Sequence, residues 1–288
     1  MKHTLWLLLI SLSLSPALPA MDWPSSTGSV LRNFGYNDQG LPHLGMSFRD
    51  QGPLGAAENG ELLFQNHSAG GASRLPSPLG AWLALDHGDG IISIYSRYEY
   101  DPSLVVPYRI ERGRTLGVSG LSGWTGEGGH YFQLFDRRER RWINPSMIIQ
   151  SMEDIRQPVI VQVLLSDSQG RVFDLSEVRS LEQGRYLLMV EAFDTLRLAN
   201  EAPLAPYRII CYLNGSEAAL LSFETFAARD GTLMAFRNGL VPVRQVFAPA
   251  PAYEVADLWF SRGQTSIEII AQDIAGNSRN IIYRFTVE

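Results

Sequence analysis

The stretch Ala81-Trp82-Leu83-Ala84-Leu85-Asp86-His87-Gly88-Asp89-Gly90-Ile91-Ile92-Ser93-Ile94-Tyr95 holds two short apolar runs on either side of a polar, glycine-bearing break. Runs this short, bounded by Gly and Asp, read as two strands joined by a turn. Working outward, Glu61-Leu62-Leu63-Phe64 repeats the pattern on the N-terminal side. The segment Asn66 to Pro78, with Gly70-Gly71 and Pro76-Ser77-Pro78, is then a long connecting loop, of a length that is often functional or mobile. From Asp22 to about Ile149 the chain keeps this Gly- and Pro-rich character. A polar stretch, Gln150 to Gln157, links it to a second regime of longer strands: Pro158 to Leu165, Arg185 to Phe193, Tyr207 to Leu213, Ser266 to Asp273 and Ile281 to Glu288. In the last of these Tyr283, Phe285 and Val287 point one way and Arg284, Thr286 and Glu288 the other, the period of a half-buried strand. Asp273-Ile274-Ala275-Gly276-Asn277 supplies the turn before it. The expectation is an all-β protein of two domains, 22–149 and 158–288, the second a β-sandwich.

The chain starts with Met1-Lys2-His3, the apolar run Leu5-Trp6-Leu7-Leu8-Leu9-Ile10 and small residues up to Ala20. Charge, apolar core and small-residue exit in that order read as a secretory signal peptide, 1–20, cleaved after Ala20. An uncleaved anchor is the alternative, but a span needs about 20 apolar residues and Ser11, Ser13, Ser15 and Pro16 interrupt this run. No cysteine lies near the cleavage region to carry a lipid. The mature protein is thus expected to be exported, to the periplasm or cell envelope, with no membrane span.

The single cysteine, Cys211, sits in an apolar segment and has no intramolecular partner, so it reads as a small buried hydrophobe. A formal net charge of −6, with both signs interspersed, makes nucleic acid a poor partner. The one basic cluster, Arg137-Arg138-Glu139-Arg140-Arg141, reads as a solvated hairpin end, with polyanion binding as the alternative. Phosphate-binding glycine loops, CxxC metal pairs and internal repeats are all missing from the sequence. Asn66-His67-Ser68 and Asn214-Gly215-Ser216 are glycosylation triplets too short to carry weight.

Six landmarks occur in a fixed order: Trp23-Pro24 with Phe34-Gly35; Gly40 to Ser47 (GLPHLGMS); Gly55 to Gly60 (GAAENG); His87-Gly88-Asp89-Gly90 with Ile94 to Tyr98 (IYSRY); Gly117-Val118-Ser119-Gly120; and Gly128 to Phe132 (GGHYF) with Ile143-Asn144-Pro145. Together they resemble the M23 (LytM-type, lysostaphin-like) peptidoglycan metalloendopeptidases over nearly the whole first domain. The resemblance implies an antiparallel β domain with one zinc, held by the His and Asp of His-x-x-x-Asp and the second His of the family's "G.HLHFE" segment. The first His of that segment and the one in "YaHL" serve the metal-bound water and the transition state. Zinc catalysis needs about three protein ligands plus an open position for water.

Carried onto this chain, the resemblance keeps His43 as first ligand and puts Ser47 at the aspartate. It puts Phe132 at the last histidine, His130 at the first histidine of His-x-His, and Arg97 at the "YaHL" histidine. A hydroxyl is a poor zinc ligand, a phenyl ring is none, and a guanidinium brings a fixed positive charge. The expectation is a degenerate member with no cofactor, zinc being retained only if His67, His87, Asp50, Glu58, Asp86 or Asp89 supplies substitute ligands. Ser47 with His130 as nucleophile and base is a further alternative.

The remaining lining, His43, Tyr95, Arg97, Tyr98, Trp124, His130, Tyr131 and Phe132, suits stacking on sugars and pairing with peptide carboxylates. Equally, Phe132 fills the vacated metal cavity as core. The second domain resembles bacterial immunoglobulin-like modules through Ile267 to Asn277 (IEIIAQDIAGN). The resulting expectation is a non-catalytic envelope factor that binds peptidoglycan or a cell-wall hydrolase, with an active metallopeptidase or a structural adhesion scaffold as alternatives.

Overall fold

The computed structural model describes residues 21–25, 29–49, 52–66, 77–99, 101–123, 128–149, 154–195, 202–248 and 251–288. The expected signal peptide, His67 with most of its loop, Asp50 and Trp124 lie outside them.

The fold is all-β, with two three-residue turns of 3-10 helix among the described residues. The hairpin read from the sequence is present: Ala81–Asp86 pairs with Ile91–Glu99, Leu83 opposite Tyr95. Gly60–Asn66 adds to one flank of the hairpin and His130–Asp136 to the other. His130–Asp136 then pairs through its first residues with Met46–Arg49 and through its last with Arg141–Ile143. Ser29–Arg32 lies outside Met46–Arg49, and Thr115–Ser119 ties Pro53–Gly55 to the end of Ile91–Glu99. One face of this sheet carries Met46, Phe48, Leu83, Leu85, Tyr95, Phe132 and Leu134 into a common core.

In the C-terminal half two sheets face each other. Val172–Asp174, Val159–Asp167, Gly184–Phe193 and Tyr253–Phe260 form one in that order. Arg208–Leu213, between Ser216–Arg229 and Gly263–Gln272, centres the other. Along Gly184–Phe193 the buried residues are Tyr186, Leu188, Val190 and Ala192, a strict period of two. Phe285 and Val287 are buried while Arg284 is exposed, as the alternation requires. Cys211 is fully buried among them, and burial pushes its thiol up to about 12, which leaves it inert. Ser216–Arg229, the longest strand, and Tyr253–Phe260 fall where the sequence reading places none. The first has buried residues on both faces and changes pairing partners along its length. The second carries a register irregularity opposite Leu188 and Met189 that breaks the period.

The two halves share backbone pairing. Arg141–Ile143 pairs with Ser216–Arg229, Trp142 opposite Phe226, so one hydrogen-bonded ladder crosses the junction. Phe34, from the segment expected to open the first domain, is fully buried in the C-terminal core and stacks on Phe226 at 4.7 Å. Gly35 follows at φ +84°, where a Cβ would meet the Phe223 ring at 2.6 Å. Only glycine combines that backbone and that approach. Asn33 donates to the Ala205 carbonyl at 2.8 Å and accepts from its N–H at 2.7 Å. Tyr253 donates to the Gly35 carbonyl at 3.2 Å. The basic hairpin end, by contrast, carries mostly exposed ion pairs, Arg141 with the buried Asp136 being the exception and Arg138 with Asp89 at 3.3 Å typical. Such pairs contribute at most about 1 kcal/mol, against about 1.5–3 kcal/mol for burying one large apolar side chain. The cores and the shared ladder therefore hold the molecule together. No helix among the described residues is long and apolar enough to cross a membrane.

Candidate functional site

His43 lies between the short strand Leu41–Pro42 and Met46–Arg49. Its backbone is pinned on both sides, Gly35 N–H donating to the His43 carbonyl at 2.9 Å and His43 N–H to the Tyr36 carbonyl at 3.0 Å. The plug that fills the C-terminal core thus also positions this histidine. Gly45 brings the segment down onto the sheet, since a Cβ there would sit 2.2 Å from the Phe132 carbonyl oxygen. His43 Nε2 then meets Ser47 Oγ at 2.9 Å.

Strand register decides what faces that pair. Residues directly opposite on antiparallel strands share a face. Ser47 is opposite Arg32 on one side and Tyr131 on the other, and Tyr131 is opposite Ser96. Arg32, Ser47, Tyr131 and Ser96 thus form one row beneath His43, whose ring lies 4.7 Å from the Tyr131 ring. His130 and Phe132 are opposite Phe48 and Met46, on the reverse face. His130 stacks on Phe48 at 4.8 Å and its Nδ1 meets Ser119 Oγ at 2.9 Å. Phe132 packs against Tyr95 at 5.2 Å, fully buried.

This corrects the expected register. The residue that looks at His43 and Ser47 is Tyr131, not Phe132, and His130 points into the core, away from Ser47. Phe132 is a core residue, but it does not fill the space beside His43. Tyr95 and Tyr98 line no groove either, both being buried, and the Tyr95 hydroxyl accepts from Ala57 N–H at 2.7 Å. The pair Phe132-Gln133 resembles the Phe-Glu that ends the motif quoted above, and an alignment on that pair would put Tyr131 at its second histidine and Gly129 at its first, in keeping with the face that Tyr131 shares with Ser47.

Arg97 reaches the row by a local irregularity. Ala81 is opposite Tyr98 and Trp82 opposite Ser96, leaving Arg97 as the extra residue of a bulge. Its φ is +66°, in the left-handed region that costs a non-glycine residue about 1–3 kcal/mol. The bulge turns its guanidinium onto the Tyr131 ring, 5.1 Å from the centroid. Arg32 sits similarly over Tyr36 at 5.7 Å. Burial, with the charges of Arg97 and Arg32 acting the same way, holds His43 down at about 3, so its imidazole is neutral at physiological pH. Burial pushes the Tyr131 phenol well above its ordinary range, opposed by Arg97. The depression bordered by Leu31, Arg32, Ser47, Arg97, Gly129 and His130 holds only about 10 Å³. That is room for one water at most.

The converging groups are therefore a neutral imidazole, a hydroxyl and a protonated phenol between two guanidiniums. With its proton-accepting range near 3, His43 is a weak base for Ser47, which is itself buried. His87 is engaged elsewhere, in the turn at the far end of the Ile91–Glu99 strand, with Nδ1 at 2.7 Å from the Asn59 carbonyl and Nε2 at 2.6 Å from Ser93 Oγ. Glu58 and Asp86 pair with Arg112 and Arg137, and Asp89 with Arg138. Away from this face, Asp154, Asp194 and Asp273 bring carboxylate oxygens within 4.8 Å of one another, the one such group of three among the described residues. Burial, then the neighbouring Asp154 and Asp273, raises Asp194 to about 7.

Comparison with known proteins gives a family profile matching residues 157–288. No curated protein matches the chain. Among solved structures it is similar to a zinc-containing peptidase from Vibrio cholerae, at 15% identity and a TM-score of 0.37, over 48% of this chain and 41% of that one. It is also similar to the catalytic domain of a variant of the prophage-encoded M23 protein EnpA from Enterococcus faecalis, at 17% identity and a TM-score of 0.33, over 43% and 95% of the two chains. A third is the catalytic domain of the antimicrobial peptidase lysostaphin from Staphylococcus simulans, at 20% identity and a TM-score of 0.31, over 38% and 81%. The chain thus spans about two fifths of the Vibrio cholerae peptidase.

Proposed function

We propose that this chain is an exported cell-envelope protein whose first domain, 22–149, keeps the M23-type framework without its zinc chemistry. On this reading it acts as a non-catalytic factor that binds peptidoglycan or a cell-wall hydrolase, and the second domain, 158–288, is an immunoglobulin-like module. The observation that carries the reading is the row of Ser47 and Tyr131 beneath His43, with Arg97 on the Tyr131 ring. Three ligand positions of the family pattern then hold one imidazole and two hydroxyl groups. A zinc site wants imidazole, thiolate or carboxylate at about 2.0–2.3 Å, and a fixed guanidinium beside it repels a dication. These residues do not fit zinc.

The burial of Ser47 supports the same reading, since its hydroxyl is engaged with His43 Nε2 and is not open to a scissile peptide. Metal analysis of the purified full chain, combined with a muropeptide cleavage assay and a sacculus pull-down, tests it. Less than one tenth of a zinc per chain, no cleavage, and retention on sacculi or on a wall hydrolase are expected. Stoichiometric zinc with chelator-sensitive cleavage would overturn the proposal. Failure to be retained by either partner would reduce the protein to a scaffold.

A further inference from the structure

Strand Ser278–Val287 pairs along one side with Gly263–Gln272, Ile267 opposite Tyr283. Its other side has a partner only at the end, where Ser180–Leu181 runs parallel to Thr286 and Val287. The hydrogen bonds at that end fix the direction of the peptide groups along the strand. Thr286 N–H donates to the Arg179 carbonyl at 3.0 Å and Glu288 N–H to the Leu181 carbonyl at 2.9 Å. Peptide groups alternate in direction from one residue to the next, so the even-numbered residues all point away from Gly263–Gln272. The far side of the ladder agrees. Asn214 N–H donates to the Ser266 carbonyl at 2.9 Å and Tyr207 N–H to the Gln272 carbonyl at 2.8 Å, which turns the even residues of Gly263–Gln272 toward Arg208–Leu213. Ser278, Asn280, Ile282 and Arg284 therefore present backbone donors and acceptors at an edge that no strand among the described residues covers.

The side chains say what fits there. All four of those residues are exposed, Ile282 to 44%. Arg279, Arg284 and, at the closed end, Arg179 are exposed and have no ion pair. Two carboxylates stand near, and each is held by an amide: Glu268, opposite Ile282, by Asn280 Nδ2 at 3.1 Å, and Asp174, which acts on Tyr283, by Gln162 Nε2 at 2.8 Å. An open edge is a template for pairing with another chain. A second copy would bring the same arginines against these, whereas a strand bearing carboxylates complements them.

We propose that this edge receives an extended acidic segment of another protein as an added strand. The guest bonds the backbone of Asn280, Ile282 and Arg284, lays an apolar centre on Ile282 and brings carboxylates to Arg279 and Arg284. Ser180–Leu181 closes the edge beyond Arg284 and the turn before Ser278 ends it on the other side, which leaves room for about seven residues. The site belongs to the second half of the chain, and binding through the first domain neither requires nor excludes it.

Isothermal titration of the full-length mature chain at low ionic strength with the capped peptide Glu-Glu-Val-Thr-Val-Glu-Glu, and with its counterpart carrying lysine for glutamate, tests this. The net charge of −6 favours the lysine peptide in general, so preference for the acidic one reports the local arginines. Expected are saturable binding of the acidic peptide, at least tenfold weaker binding of the lysine peptide, and slowed hydrogen exchange at the Ile282 and Arg284 amides on binding. In the free chain those two amides should exchange at least tenfold faster than the amides of Ile281 and Tyr283, which face Gly263–Gln272. Ile282→Pro removes one donor from the open side, where proline is tolerated, and should weaken binding at least tenfold. If that variant fails to fold, Arg279→Glu with Arg284→Glu, both exposed, should reverse the preference between the peptides. Equal binding of the two peptides, no binding, wild-type affinity in Ile282→Pro, or slow exchange at Ile282 in the free chain would overturn the proposal. Self-association of the chain that Ile282→Pro abolishes would overturn the choice of occupant and assign the edge to a second copy.

Discussion

Tyr131 stands directly opposite Ser47 on the neighbouring strand, with its ring against His43 at 4.7 Å. That relationship decides which positions a metal site would need. Ser47→Asp with Tyr131→His places one carboxylate and two imidazoles on one face, and this double variant is expected to gain a zinc-dependent rise in melting temperature. At 100-fold excess over Kd the gain is about 2.7 kcal/mol, or roughly 5–10 °C for a domain of this size. Ser47→Asp with Phe132→His puts the new imidazole into the core instead, and its melt should fall and ignore zinc. A zinc response in the second variant and not the first would return Phe132 to the His43 face.

Phe132→Ala should cost about 3–5 kcal/mol, as truncation of a fully buried aromatic does. Urea unfolding measures it. A loss below about 1 kcal/mol would contradict its placement in the core.

Much of this arrangement is legible in the sequence, and the place where it fails is instructive. The hairpin around His87 follows from its two apolar runs and the polar break between them, and the alternation of Tyr283, Phe285 and Val287 from periodicity. In His130–Asp136, however, the first five residues are all buried, because both faces of that strand are covered. No polar–apolar alternation marks which side chains look at His43, and a slip of one residue exchanges the two faces. Arg97 is illegible for a related reason, since a bulge cancels the alternation that would place it. The seat of Phe34 in the C-terminal core depends on partners such as Phe226, remote in the chain, and no local pattern announces it.

The depressed His43 sets a pH dependence with a definite sign. Its folded value of about 3 lies below the ordinary 6.5, so the folded state binds fewer protons in that window. The stabilising contribution is complete above about 6.5 and is lost as pH falls toward 3, with a slope of up to about 1.4 kcal/mol per unit. Urea melts between pH 7 and 4 should show the loss, and the His43 ring resonance should not titrate above pH 4. Arg97→Gln should shift its titration upward. A His43 resonance titrating near 6.5 would contradict the burial and charge argument.

Asp194 works in the opposite sense. Raised to about 7 by burial and by Asp154 and Asp273, it favours the protonated folded state. Stability is therefore greater at low pH for this group and declines as pH climbs from about 4 to 7. Asp194→Asn should raise the melting temperature at pH 8 and raise it less at pH 5, measured in EDTA. An equal effect at both values would mean that charge is not the cause.

Gly35→Ala should destabilise the molecule by more than about 2 kcal/mol, because the methyl group meets Phe223 and the backbone sits at φ +84°. Since Gly35 also holds the His43 carbonyl, the loss should extend to the pinned histidine, read as a shift of its ring resonance. Loss of stability without that shift would separate the plug from the site.

The ladder joining Trp142 to Phe226, together with Phe34 lodged in the distant core, makes the covalent connection between the halves redundant. A protease that nicks the chain between Ile149 and Val159 would leave two fragments that remain one particle in solution. Packing and backbone pairing alone then hold them, so their association becomes dependent on concentration. Expressed apart, either fragment would expose a hydrogen-bonding strand edge and an apolar seat, features that invite self-association. Division at this point therefore yields fragments that need each other, and co-expression rather than dissection is the way to obtain either in soluble form.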